Sequence, residues 1–178
     1  VVTIGGPRDE DPELWLGPFP VTNDIVVKEV EVHSPAETQE LGKTLGQMAR
    51  AGDLFLLKGE LGAGKTCLVQ GIAQGLHITE PVRSPTFVLA TEHPGRLNLY
   101  HIDLYRLDDT LEVDDLGLED YFEGDGLCAV EWADKAMDSF PKEHLLIEFE
   151  TVGQESRRIL LKPVGDRYVG RVRDLDTS

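Results

Sequence analysis

Apolar positions along the chain switch between a strand-like and a helix-like period, and their order outlines an α/β protein. Ile25 to Val32 is rich in β-branched residues and predicts a strand. Ser34-Pro35-Ala36-Glu37 follows as a capping box with proline at the first helical position: Ser34 can accept from the Glu37 N–H while Glu37 reaches back. Leu41, Leu45, Met48 and Ala49 carry the helix onward on one face, and Ala51-Gly52 ends it. Asp53 to Lys58 reads as a buried strand. From Cys67 to Leu76 the period is helical again, with Leu68, Val69, Ile72, Ala73 and Leu76 on one side.

The second half of the chain shortens its elements. Pro81 and Pro85 keep the segment from His77 to Thr86 extended around Arg83 and Ser84. Phe87 to Glu92 and Leu97 to Asp103 read as strands joined at His93-Pro94-Gly95-Arg96, a hairpin and so an antiparallel pair. Asp109-Thr110-Leu111-Glu112 predicts a helix start, with Leu111, Leu116, Leu118, Tyr121 and Phe122 facing inward until Gly124 and Gly126 break it. Leu127 to Val130 is a short buried strand closed by Glu131-Trp132, and Leu145 to Glu150 and Ile159 to Lys162 add two more. The expected fold is a three-layer α/β arrangement of the P-loop NTPase type, its central sheet mixed parallel and antiparallel.

Residues 1–24 hold four prolines and follow neither period, so they are expected to be a flexible extension of the domain at 25–163. Residues 164–178 are expected to be a strand or partly mobile tail, with Arg171-Val172-Arg173 a frayed basic end. At 178 residues one domain can bury a full core without disulfides. A formal charge of −16 disfavours direct binding to nucleic acid or anionic membrane and leaves a basic protein partner open. Cys67 and Cys128 read as small core residues, and the start shows no secretory signal, which together fit a reducing cytoplasm.

Between the buried strand and the second helix lies Gly59-Glu60-Leu61-Gly62-Ala63-Gly64-Lys65-Thr66, which fits G-x-x-x-x-G-K-[ST]. The glycines let backbone N–H groups turn inward around phosphate oxygens, Lys65 brings a positive charge to the β and γ phosphates, and the Thr66 hydroxyl suits Mg²⁺. A phosphate loop also needs an acid at the end of a neighbouring strand, for the metal and for the attacking water. Glu131 is the first candidate for the metal-side acid and Asp103 the second. Thr86 occupies the position of a switch residue, or simply starts a strand. His101 reads as a satisfied strand residue. The sequence lacks an Asn-Lys-x-Asp segment for guanine, so ATP is the expected nucleotide.

Four motifs in order make the chain resemble the TsaE (YjeE) family of bacterial tRNA threonylcarbamoyladenosine (t6A) biosynthesis: Gly59 to Thr66, Ser84-Pro85-Thr86-Phe87, Tyr100-His101-Ile102-Asp103-Leu104-Tyr105-Arg106, and Glu131-Trp132. That resemblance implies a slow Mg²⁺-dependent ATPase that acts on a TsaB–TsaD transferase and meets tRNA only indirectly. It implies that Glu60, Leu61, Gly62, Ala63, Gly64, Lys65, Thr66 and Cys67 hold the nucleotide, with Glu37 and Thr38 near its base. It further implies that Thr66 and Glu131 serve Mg²⁺, that Lys65 and Asp103 serve hydrolysis and that Thr86 belongs to a switch-like loop. Cys67 departs from the family's usual threonine. Two rival readings remain, a P-loop small-molecule kinase and a nucleotide-gated scaffold with negligible hydrolysis; for the first, only Arg83, Arg96 and Arg106 lie near the site in sequence.

Overall fold

The computed structural model describes residues 27–85, 89–107 and 116–176. Seven strands form one sheet: β1 (Lys28–Val32), β2 (Asp53–Lys58), β3 (Ala90–His93), β4 (Leu99–Asp103), β5 (Leu127–Glu131), β6 (His144–Thr151) and β7 (Arg157–Val164). Their spatial order is β1-β7-β6-β2-β5-β4-β3. β6, β2, β5 and β4 run parallel in the middle, while β7 and β1 on one side and β3 on the other pair antiparallel. The mixed α/β sheet is therefore as the sequence predicts, including the hairpin about His93 to Arg96.

β2 lies at the centre because five consecutive residues from Asp53 to Leu57 are buried. Its pleat sends Phe55 and Leu57 into one core and Leu54 and Leu56 into another. Over the first face pack α1 (Pro35–Met48), α2 (Lys65–Gly75) and, with Tyr168 and Val172 buried, a helix near the C-terminus. The second face is thinly covered by Leu104, Leu118, a four-residue helical turn α3 (Glu119–Phe122) and short 3₁₀ turns at Ala133–Lys135 and Met137–Ser139. The predicted helix start at Asp109 to Glu112 lies outside the described residues.

α1 and α2 run parallel and touch through glycines. A Cβ on Gly71 would stand 2.1 Å from the Gln39 carbonyl oxygen, and one on Gly42 would stand 2.2 Å from that of Leu68. Only glycine permits this approach. Ser34 caps α1 by accepting from the Glu37 N–H at 3.2 Å, and the Glu37 carboxylate returns to the His33 N–H at 2.8 Å, one residue before the expected partner.

The tail differs from expectation. Residues Asp166–Arg173 form a docked helix, α4, because Tyr168, Val172 and Leu175 share a buried face. Arg171, expected at a frayed end, donates to the buried Asp53 carboxylate at 2.6 and 2.9 Å, and Arg167 donates to it at 2.8 Å. Tyr168 also lies beside Phe55, its hydroxyl accepting from the Leu54 N–H at 2.9 Å. Among the described residues no helix is long and apolar enough to cross a membrane.

Candidate functional site

The parallel strands β2, β5 and β4 end together, with Leu57 opposite Glu131 and Glu131 opposite Asp103. At that edge the chain leaves β2 through Gly59 to Gly64 and enters α2 at Lys65. Gly62 and Gly64 have φ of +78° and +107°, the left-handed region that the loop requires. A Cβ on Gly59 would meet the Phe149 Cβ at 2.8 Å. Gly64 is the N-cap of α2 and offers no side-chain cap, so the first-turn amides are left to an external acceptor.

Lys65 is buried and folded onto its own loop, donating to the carbonyls of Gly59 at 2.5 Å and Glu60 at 2.9 Å. Its ammonium also lies 3.8 Å from the Trp132 ring. Burial pulls its pKa below the usual lysine value, against the opposing charges of Glu131, Asp134 and Asp103. Trp132 is held in a left-handed conformation, φ +59°, immediately after β5 and packs on Tyr105 at 4.9 Å.

The acids occupy different settings. Glu131 is buried, and both its carboxylate oxygens accept from the Thr66 hydroxyl at 2.9 Å. His101 Nε2 lies 2.8 Å from Glu131 Oε1. Asp103 sits nearer the solvent, accepting from the Tyr105 N–H at 2.9 Å and from the Ser84 hydroxyl. Ser84 thus ties the segment after α2 to the end of β4. The donor set of a hydroxyl and a carboxylate beside a phosphate loop suits Mg²⁺, which prefers oxygen and keeps several waters. Among the described residues no cluster of three or more His, Cys, Asp or Glu side chains could cage a metal alone.

The structure brings Lys65, Thr66, Glu131 and Asp103 to one edge and sets Thr38 beside Gly64, whose added Cβ would lie 3.8 Å from the Thr38 methyl. Glu37 is committed to the α1 cap. Glu60 and Leu61 are exposed at the loop tip, Leu61 at 74%, while Ala63 is buried and donates to the Glu60 carbonyl at 3.1 Å. Cys67 is not the core residue expected: it is half-buried, because its turn faces α1 rather than the sheet, and its thiol donates to the Pro35 carbonyl at 3.2 Å. Cys128 is buried, as expected. Thr86 lies outside the described residues.

Of the three arginines near in sequence, Arg96 is at the wrong end. It donates to the carbonyls of Gly46, Gln47 and Ala49 at the C-terminus of α1. Arg83 and Arg106 are exposed. Arg157 does touch the loop: it donates to the Gly62 carbonyl at 3.3 Å and to three carbonyls of its own turn. No local motif marks it, since the contact spans 95 residues and depends on how β7 enters the sheet.

Comparison with known proteins agrees with this geometry. A family model described as "Threonylcarbamoyl adenosine biosynthesis protein TsaE" matches residues 32–159. The Bacillus subtilis protein named "tRNA threonylcarbamoyladenosine biosynthesis protein TsaE" is 45% identical over 136 residues, 76% of this chain and 85% of the relative. The Nostoc protein of the same name is 48% identical, over 68% of this chain and 76% of its own length. The crystal structure of Bacillus subtilis YdiB superposes with a TM-score of 0.76 at 36% identity, covering 86% of this chain and 97% of that one. The match takes in the phosphate loop, both acids and Trp132, so the chain belongs to the TsaE family, a family of t6A tRNA biosynthesis.

Proposed function

We propose that this protein is a cytoplasmic Mg²⁺-dependent ATPase that supports threonylcarbamoylation of tRNA adenosine by acting on a TsaB–TsaD complex, meeting tRNA only through it. The observation that carries the reading is the meeting of Thr66 and Glu131 at 2.9 Å directly behind Lys65 and the glycine loop. The loop amides and Lys65 would bind the triphosphate, and the Thr66 hydroxyl and Glu131 would hold Mg²⁺. Bound there, the ion neutralises charge on the phosphate oxygens. Asp103, fixed by the Tyr105 N–H and Ser84, orients the attacking water from the end of β4.

The site also favours help from outside. Lys65 is engaged by its own loop carbonyls and by Trp132, which fits a slow enzyme alone. Leu61 at the loop tip and Tyr105 beside Trp132 expose apolar surface near the site, which suits a protein docking there. Of the three arginines near the site in sequence, Arg96 lies at the far end of α1 and so does not line a lid over a phosphate acceptor.

The test is ATP turnover with and without purified TsaB–TsaD, alongside nucleotide binding. Lys65→Ala should abolish tight binding, whereas Glu131→Ala and Asp103→Ala should lose turnover by about 100-fold or more and bind nearly normally. Phosphate should appear without any added acceptor. Full turnover in all three variants would overturn the ATPase reading, and no stimulation by the complex would favour a nucleotide-gated scaffold.

A further inference from the structure

Resting on that reading of the site, we infer that His101 is a positioning residue for the magnesium end of the nucleotide, acting through Glu131 rather than on the nucleotide itself. The sequence marks it only as a polar residue within a strand. In the fold it has no exposed side-chain surface and lies on β4, opposite Ala129 of β5. From there its ring reaches two residues along the neighbouring strand to Glu131. Asp103 lies two residues beyond His101 on the same strand and hence on the same face.

The hydrogen bonds fix the direction of the relay. A carboxylate oxygen at 2.8 Å calls for a proton on Nε2, so His101 donates to Glu131 Oε1. Among the described residues its buried Nδ1 has no hydrogen-bond partner. Glu131 next accepts the single hydroxyl hydrogen of Thr66, shared between its two oxygens at 2.9 Å. With that hydrogen directed at Glu131, the lone pairs of Thr66 Oγ1 are turned away from the carboxylate. His101 holds Glu131, Glu131 holds the Thr66 hydroxyl, and the hydroxyl presents its lone pairs to the cation. Outer-shell donors of this kind orient metal ligands that they never share with the metal.

The ring could instead fill space in a strand, and the two roles predict different measurements. His101→Leu keeps bulk and removes the donor, whereas His101→Gln can place an N–H near the position of Nε2. Binding of a fluorescent ADP analogue to the full chain is titrated first in EDTA and then against MgCl₂, with urea stability measured in parallel. In EDTA both variants should bind like wild type, because among the described residues the hydrogen bond of His101 goes to Glu131 and not to the loop or Lys65. The Mg²⁺ concentration for half-maximal tightening should rise about 10-fold or more in His101→Leu and return to within about 3-fold of wild type in His101→Gln. A His101→Leu half-point within about 2-fold of wild type would overturn the inference, as would equal loss of metal-free binding in both variants. If the wild-type chain shows no Mg²⁺-dependent nucleotide binding, the inference falls together with the functional reading; if wild type responds and His101→Leu matches it, the inference falls alone.

Discussion

Replacing Arg171 with methionine would test how the C-terminal helix is held. Asp53 has no exposed side-chain surface and receives four donated bonds: two from Arg171 at 2.6 and 2.9 Å, one from Arg167 at 2.8 Å and one from the Arg50 N–H at 2.8 Å. Arg171→Met removes two of these, each worth about 1.5–3 kcal/mol when a charge is involved. It leaves a buried carboxylate short of a partner, a change that typically costs about 3–5 kcal/mol. Two donors survive, so the lower end applies, about 3 kcal/mol, or a fall in Tm of about 6–12 °C for a chain of this size. Arg167→Met should cost about 1 kcal/mol or less, since that side chain is 37% exposed and screened by water.

The pH dependence follows from the same network. Burial alone would raise the Asp53 pKa, but the bonds from Arg171, the Arg50 N–H and Arg167 outweigh it and hold the carboxyl below its ordinary 3.8. A depressed folded pKa gives stability that is present above 3.8 and lost as the pH falls through the folded value. The gap between wild type and Arg171→Met should therefore be full near neutrality and narrow in acid below 3.8. Urea unfolding followed by circular dichroism at both pH values reads the gap. A neutral-pH difference under about 1 kcal/mol, or a gap that does not narrow in acid, would refute the reasoning.

Other expectations concern the helices and the loop. Gly71→Ala should force α1 and α2 apart and cost about 2–3 kcal/mol in denaturant unfolding, because its Cβ would lie 2.1 Å from the Gln39 carbonyl oxygen. Arg96→Ala should lose about 1–2 kcal/mol of stability through the uncapped end of α1 yet leave ATP affinity unchanged, as measured by calorimetry. In a Trp15→Phe background, Trp132 is the sole tryptophan of the two, and saturating ADP should change its emission by drawing Lys65 off the ring. An unchanged spectrum would show that Lys65 stays on the ring when nucleotide binds.

What could be read from the sequence was what sits locally. The phosphate loop is contiguous, the Ser34 cap spans four residues, and Glu131 and Asp103 meet because parallel strands end at one edge. What escaped depends on long-range placement. Asp53 reads as the polar start of a buried strand, and its partners lie 114 and 118 residues away. The buried face of α4 has only Tyr168 and Val172, with Gly170 between and Leu175 just past its end, too short a period to announce a helix. Trp132 takes a left-handed backbone that its residue type disfavours. His101 is the satisfied strand residue that the sequence predicts, but its partner, Glu131, lies on the neighbouring strand and no local pattern names it.

The glycine contact between α1 and α2 has an electrostatic consequence. In a parallel pair the two peptide macrodipoles point the same way, which is repulsive side by side, and contact at glycine puts their axes unusually close. Each N-terminus carries about half a positive charge; that of α1 is met by Ser34 and the Glu37 carboxylate, whereas that of α2 has no side-chain cap and opens on the glycine loop. A chain with net charge −16 thereby has, at the start of α2, a spot of opposite sign where the proposed triphosphate would enter. An anion bound there relieves the mutual repulsion of the helix ends as well as meeting Lys65. Occupancy should therefore tighten the helix pair itself, and protection of α1 and α2 amides from hydrogen exchange should rise with inorganic pyrophosphate even though it has no base or ribose.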